Sequence, residues 1–271
     1  KSFNVILLAL FCTSCAQAQG GKPFEFTYKG QTLQYEVADG NEAMVSEQQS
    51  EKNSGDVKIP ENVTFAGEKY SVTTIGQKAF FYCDTLTSVS IPNSVTTICT
   101  EAFGNCRGLT SITIPNSVKT IEASAFWGCE GLTNVFLPNS VETIEASAFG
   151  SCENLKSIDV AKDNSHYSSE NGVLFDISKK TLIQYPCGIK GKYVIPNSVT
   201  TIGEGAFMYC GITDVTIPNN VKTIGAGAFG ACKGLTNVTI PSSVTMIEYR
   251  AFGFCEGLTV LTVENATPPE M

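Results

Sequence analysis

By residue type, this chain's capacity for chemistry lies in its 11 cysteines and one histidine. Seven cysteines, Cys83, Cys106, Cys129, Cys152, Cys210, Cys232 and Cys255, each stand three residues after a Phe. The stretches "TIEASAFWGCEGL" (Thr120–Leu132) and "TIEASAFGSCENL" (Thr143–Leu155) show the pattern twice within 36 residues. Zinc needs ligands that converge, usually paired within a short span. Beyond the first 18 residues there is no Cys-x2-Cys pair and only His166 as an imidazole. Disulfides between neighbouring repeats are allowed by distance, but seven is an odd number and side chains in one column project in parallel. Free cysteine is among the most buried residue types, and each of the seven is framed by Phe before it and Leu or Ile after it. The expectation is a buried structural thiol ladder, with no metal and no cofactor. Cys99 stands where other repeats carry Gly or Glu and is expected outside that core, or tucked into an edge. Cys187 falls in an interruption of the pattern, and both are expected as free thiols.

His166 sits in "DNSHYSSENG", where Asp163 and Ser165 are close in sequence only. A catalytic triad needs base, nucleophile and acid converging on one point, and a polar loop supplies such neighbours by composition alone. The expectation is a solvated loop histidine. Glu122, Glu145 and Glu248 share one repeat position, so they mark a surface register and not the facing pair of carboxylates a glycosidase requires. No phosphate-binding loop, dinucleotide fingerprint, zincin helix or calcium loop occurs. No catalytic residue is expected, and the chain is not expected to be an enzyme.

What positions the cysteines is a repeat. Aligned on Ala-Phe, the chain returns at Phe80, Phe103, Phe126, Phe149, Phe207, Phe229 and Phe252, with spacings of 23, one of 22, and 58 across the interruption. The unit "LTSITIPNSVKTIEASAFWGCEG" (Leu109–Gly131) opens with alternating apolar residues that end at Pro115, which cannot donate to a central strand. "NS" makes a turn, Val118 and Ile121 anchor a second short strand, and "EASAF" predicts one helical or 3-10 turn. So short a coil cannot bury its apolar side alone, so its neighbours must stack on it. Rungs at ~4.8 Å give a β-rich solenoid of about eight coils of 23 residues, on the order of 40 Å long. Residues 19–56 read as an N-terminal β cap, with "FEFTYKGQTLQYEV" alternating about Lys29-Gly30 as a hairpin. The solenoid covers 57–271 with an insertion at 159–194. Its first coil is irregular, since "TFAGEKY" intervenes before "SVTTI".

The pattern L-x-x-I-x-I-P-x-S-V-x-x-I-x-x-x-A-F-x-x-C resembles the BspA-type leucine-rich repeat, over about residues 57–271. "NGVLFDISKKTLIQYPCG" resembles that family's long repeat variant with an inserted β-hairpin, and "FTYKGQTLQYEV" the small β cap that precedes such arrays. The resemblance implies a right-handed solenoid on a bacterial secreted or cell-surface protein, working in adhesion to host matrix proteins or in contact between bacteria. It implies no catalytic residues.

Composition agrees with an extracellular binding module. Only 16% of residues are charged and the net charge is −8, without a basic stripe, which argues against nucleic acid and anionic membranes as partners. Lys1, the apolar run "VILLALF" and Ala16-Gln17-Ala18 read as a signal peptide over 1–18. A lipid anchor at Cys15 is the competing reading, weakened by Cys12 where a lipobox usually has Leu. No further stretch approaches the length of a membrane helix. Departures from the repeat name the candidate ligand-binding residues. The outward strand position is Ser90, Thr113, Phe136, Asp159, Thr216, Thr239 and Thr262, so Phe136 is an aromatic among small polar residues. After the repeated Phe, where other coils have Gly, stand Phe81-Tyr82, Trp127, Met208-Tyr209 and, two further on, Phe254. Aromatics of this kind serve as interface anchors or cover the edge of a turn. The two functional expectations are a binding module for a host extracellular protein, a glycan or a bacterial surface component, and a structural spacer within a larger surface protein.

Overall fold

The computed structural model describes residues 23–48 and 54–264. The expected signal segment 1–18, Cys15 with it, and the middle of the polar loop after the cap lie outside these residues.

Strands β1 (Phe24–Tyr28) and β2 (Gln31–Val37) form an antiparallel hairpin about Lys29-Gly30, and β3 (Glu42–Val45) pairs antiparallel with β2. β3 then pairs parallel with β6 (Glu68–Ile75), the first inner strand of the solenoid. The cap is therefore hydrogen-bonded into the stack, not merely packed on it. Strand β4 (Gly55–Lys58) begins the long-strand face. "TFAGEKY" is a hairpin in which β5 (Asn62–Phe65) folds back on β6, so β6 has eight residues where the equivalent strand of later coils has two.

One coil explains the rest. Ser111–Thr113 pairs parallel with Leu86–Ser90, placing Ile112 beside Val89 in the interior and Thr113 beside Ser90 outside. Pro115 ends the strand, and its carbonyl accepts the N–H of Val118 to close the turn. Thr120–Ile121 then pairs with Thr97–Ile98 behind it and Thr143–Ile144 ahead. On the third side the expected helical turn is not formed, and no helix occurs among the described residues. Ser124 and Gly128 adopt left-handed φ of 56° and 69°, which interrupts a helix every fourth residue. Alternate N–H groups therefore point along the solenoid axis. Ser124, Phe126 and Gly128 donate to the carbonyls of Ala146, Ala148 and Gly150 in the next coil, at 3.1, 2.8 and 2.9 Å. The intervening Ala125 and Trp127 bond back within their own coil, to Glu122 and Ser124.

Inside this frame Phe80, Phe103, Phe126 and Phe149 stack nearly parallel, with centroids 5.2–5.3 Å apart. After the insertion the column resumes as Tyr185, Phe207, Phe229 and Phe252 at 4.9–5.1 Å. Much of the interruption is thus another coil. Thr181–Gln184 pairs with Thr201–Ile202, and Gly191–Val194 pairs with Ile212–Thr216, with Tyr185 in the place of Phe. The rest is a hairpin of Tyr167–Glu170 with Val173–Asp176, which divides the core. Leu174 enters the N-terminal cluster, which runs from Phe24 to Ile158, while Val173 and Phe175 enter the C-terminal cluster, which runs to Ala251.

The loop before the hairpin completes the coil it replaces. Buried Asn164 donates from Nδ2 to the carbonyls of Pro138 and Val141 at 2.9 and 3.0 Å, and its Oδ1 accepts the N–H groups of His166 and Tyr167. Tyr167 Oη accepts the N–H of Ile144 at 2.7 Å. Side chains here do the hydrogen bonding that a following coil's backbone does elsewhere.

The column sets a testable asymmetry. Phe126 is fully buried between two rings, whereas Phe252 at the last coil is half-buried. Phe126→Ala should lower the unfolding free energy by about 3–5 kcal/mol, and Phe252→Ala by less than half as much, as read from urea unfolding followed by circular dichroism.

Candidate functional site

The cysteine column proves to be more than apolar filling. Cys106, Cys129, Cys152, Cys232 and Cys255 each direct Sγ at the Phe carbonyl of the preceding coil, namely Phe80, Phe103, Phe126, Phe207 and Phe229, at 2.9–3.2 Å. The same carbonyls accept the N–H of the cysteine in their own coil. A carbonyl has two lone pairs to satisfy, and in this dry column the thiol is the second donor. Valine or alanine would fit the space without supplying it. Burial pushes the thiol of Cys83 up to about 11, assisted by Asp84, and those of Cys152 and Cys232 up to about 12. A thiolate is the nucleophile and metal ligand, so these groups are held in the inert form. Among the described residues no group of three or more His, Cys, Asp or Glu is placed to hold a metal ion.

Three cysteines depart from expectation, among them Cys210, expected as a free thiol of the ladder. Cys187, expected free, is disulfide-bonded to Cys210, with their Cα atoms 4.3 Å apart. Tyr185-Pro-Cys187 occupies the turn side of a coil, so Cys187 borders the column. Its 23-residue separation from Cys210 was the signal available in the sequence. Cys99, expected as a free thiol outside the core or tucked into an edge, is fully buried and disulfide-bonded.

The Glu register is also internal in part. Glu122 is 1% exposed and accepts the N–H and hydroxyl of Thr100 in the coil behind. Glu145 and Glu248 take the N–H groups of Ala123 and Ala226 in the same way. These carboxylates cap turn backbones and do not face one another. His166 lies exposed, with Nδ1 3.1 Å from the hydroxyl of its neighbour Ser165. Among the described residues no carboxylate is hydrogen-bonded to either side chain.

The candidate aromatics divide into two groups. Phe81, Trp127 and Met208 lie over Gly104, Gly150 and Gly230 of the next coil. A Cβ at Gly104 or Gly150 would come within 2.7 or 2.5 Å of the covering ring. At ~4.8 Å per rung a large side chain lying along the stack spans two coils, so bulk and glycine must alternate. Trp127 also meets Tyr209 edge-on, with centroids 5.3 Å apart, across the insertion. Tyr209 and Phe254 hold left-handed φ of 61° and 58°, which throws their side chains outward. Phe254 and Tyr249 flank the guanidinium of Arg250 at 5.2 and 4.9 Å.

Phe136 stands apart from all of these. It lies on the long-strand face, 57% exposed, paired in register with Asp159. The structure thus joins Trp127 and Tyr209 on the turn side, sets Met208 over Gly230, and leaves Phe136 and Phe254 at separate positions.

The coils of two parallel strand faces and one turn ladder lie where a model of the BspA type leucine rich repeat region matches the chain. That model matches six copies here, over residues 73–190 and 176–268. The chain belongs to the BspA-type leucine-rich repeat family. Solved structures carry the same fold. A leucine-rich repeat protein from Eubacterium ventriosum is 25% identical, with a TM-score of 0.60 over 91% of this chain and 73% of that one. The pneumococcal vaccine antigen PcpA is 19% identical, with a TM-score of 0.59 over 89% and 81%. A leucine-rich cell surface protein from Faecalibacterium prausnitzii is 20% identical, with a TM-score of 0.52 over 90% and 96%. No curated protein matches the chain.

The thiol ladder of this BspA-type repeat has a pH signature. Folded thiols ionise above the unfolded value of about 8.5, so their contribution is complete below that pH and declines as pH rises towards their folded values. The thermal midpoint should fall between about pH 9 and 11, and Cys129→Ser with Cys152→Ser should flatten that fall when the two proteins are compared by calorimetry.

Proposed function

We propose that this BspA-type chain is a secreted or surface-held bacterial binding module, engaging a host matrix protein or a glycan through the long-strand face of the solenoid. The observation that carries the reading is Phe136, a ring 57% exposed on a rigid parallel sheet. Its repeat-register neighbours, Ser90, Thr113, Asp159 and Thr216, are small and polar. Rings that stand out of a polar surface are preferred interface anchors because they lose large area on contact and little side-chain entropy. The hydroxyls around the ring supply donors and acceptors for a polar rim. Extracellular placement is supported by the family and by the description of two neighbours as a cell surface protein and a vaccine antigen. Catalysis has no part in this reading.

Charge supports a protein or sugar partner over a polyanion. Lys78, Arg107, Lys119 and Lys233 each pair with a Glu of the next coil at 3.1–3.7 Å. These exposed pairs add little stability, but they neutralise the bases that a basic stripe would need.

The second reading, a spacer that displays another part of a surface protein, is favoured by the turn side. There Phe81 and Trp127 lie over glycines and Trp127 meets Tyr209 across the insertion, which is packing and not display. The two readings separate in one experiment, a binding screen of residues 19–271 against extracellular-matrix proteins and a glycan array. Phe136→Ala should weaken a saturable interaction about tenfold or more with the unfolding midpoint unchanged. Trp127→Ala should lower the midpoint and leave the affinity in place. Binding indifferent to Phe136→Ala would discard this face, and silence from folded protein would favour the spacer.

A further inference from the structure

The first coil's departure from the repeat creates a second surface feature, far in sequence from Phe136. Because β6 is extended by the "TFAGEKY" hairpin, β5 leans out beside the cap instead of turning into the stack. Phe65 at the end of β5 stacks on Phe24 of β1, with centroids 4.4 Å apart, which holds the two hairpins together at one end. At the other end, Gln31 ties the cap hairpin to the solenoid. Its side chain accepts the N–H of Lys58 at 2.9 Å and donates to the carbonyl of Asp56. Between these two ties opens a cleft of about 500 Å³, within the range of small-ligand sites.

The cleft has an apolar floor and polar walls. Ile59 and Pro60, both buried, form part of its lining, and Tyr28 comes from the cap. Asn62 and Thr64 alternate along β5, with Thr64 directly opposite Lys69 in register, so all three head groups share one face of the hairpin. Glu61 completes the lining. No hydrogen bond or ion pair within the described chain engages the phenol, amide, hydroxyl, ammonium or carboxylate of these five residues. Some other surface groups are paired from coil to coil, as Ser88 and Thr87 are with Asp56 and Lys78 is with Glu101; here five such heads without a partner among the described residues line one cleft.

We propose that this cleft is a binding site for a neutral carbohydrate of one or two rings. A sugar presents hydroxyls that donate and accept at once. The lining offers an acceptor-only carboxylate, a donor-only ammonium, and an amide, a hydroxyl and a phenol that do both. Glu61 and Lys69 cancel in charge, and Lys29, with Nζ 5.1 Å over the Tyr28 ring, leaves a balance of a single positive charge, which disfavours a metal ion and suits a ligand of little or no charge. The apolar floor suits the C–H face of a pyranose, and the Tyr28 ring, which carries Lys29 Nζ over one face, offers it only the other. An extended peptide is the competing occupant. It would rely on backbone edges, whereas the polar groups gathered here are side-chain heads.

The test is a titration of folded residues 19–271 with maltose, cellobiose, lactose and diacetylchitobiose, followed by saturation-transfer NMR and calorimetry. Tyr28→Ala, Lys69→Ala and Phe136→Ala run beside the parent protein. Tyr28, Lys69 and Phe136 all sit at the surface, and unchanged thermal midpoints would show that each variant is folded. The expected result is saturable binding of at least one disaccharide, weakened about tenfold by Tyr28→Ala and by Lys69→Ala and untouched by Phe136→Ala. Sugar binding lost with Phe136→Ala alone would assign it to the long-strand face and overturn the cleft. No saturable binding of any of the four, or binding indifferent to Tyr28→Ala and Lys69→Ala, would also overturn it. So would capture of an acetylated poly-threonine-valine peptide in place of the sugars.

Discussion

The structure depends on backbone N–H groups on the turn side finding carbonyls in the next coil. Left-handed residues two before and two after each buried Phe, such as Ser124 and Gly128, turn every second N–H out of its own coil and along the axis. That choice gives up a helix, which would have satisfied itself, for a ladder that only stacking can satisfy. A buried unpaired N–H is costly, so a single coil is unstable and the array is cooperative by construction. The Phe column and the thiols that serve its carbonyls follow from the same geometry. Once coils sit one rung apart, identical side chains fall in line and each must suit its own copy.

The insertion shows what happens when the next rung is missing. At the coil of Phe149 the ladder meets a loop and a hairpin instead of another turn segment. Asn164 and Tyr167 supply side-chain partners to the exposed backbone. Strand Val173–Asp176 sends Leu174 to one core and Phe175 to the other, so a single strand serves both apolar clusters where the hydrogen-bonded sheets are interrupted. Trp127 and Tyr209 meet across the same seam on the turn side. The Cys187–Cys210 bond then secures the first rung of the second half. The molecule is one solenoid joined from two arrays by side chains and by backbone bonds such as Gly188 N–H to the Leu155 carbonyl and Ile158 N–H to the Gly172 carbonyl.

This division separates aromatic residues by role. A large side chain after the repeated Phe must lie over a glycine in the next coil, because one rung is thinner than a ring is wide. Trp127 and Phe81 therefore belong to the fold's own packing. Phe136 has no such duty, since outward positions on a parallel sheet stand perpendicular to it and meet solvent. Freedom from a packing role is what makes Phe136 the candidate anchor. The first coil offers a different kind of feature, a cleft on which several polar heads converge.

Periodicity in the chain determined the solenoid, the number of coils, the column of Phe and Cys, and Pro115 and its equivalents as strand ends. Each is a local or repeated feature, legible because stacking multiplies one pattern. Tertiary structure decided the matters that depend on what lies one rung away. It placed Cys99 and Glu122 inside, bonded Cys187 to Cys210, replaced the expected helical turn with alternating left-handed residues, and gave Asn164 a capping role no motif announces. It also parted Trp127 from Phe136, which the sequence had grouped by type. The physical reason is the same in every case. A repeat tells which residues share a register, but burial, pairing and exposure are set by the neighbouring coil, and that neighbour is remote in sequence.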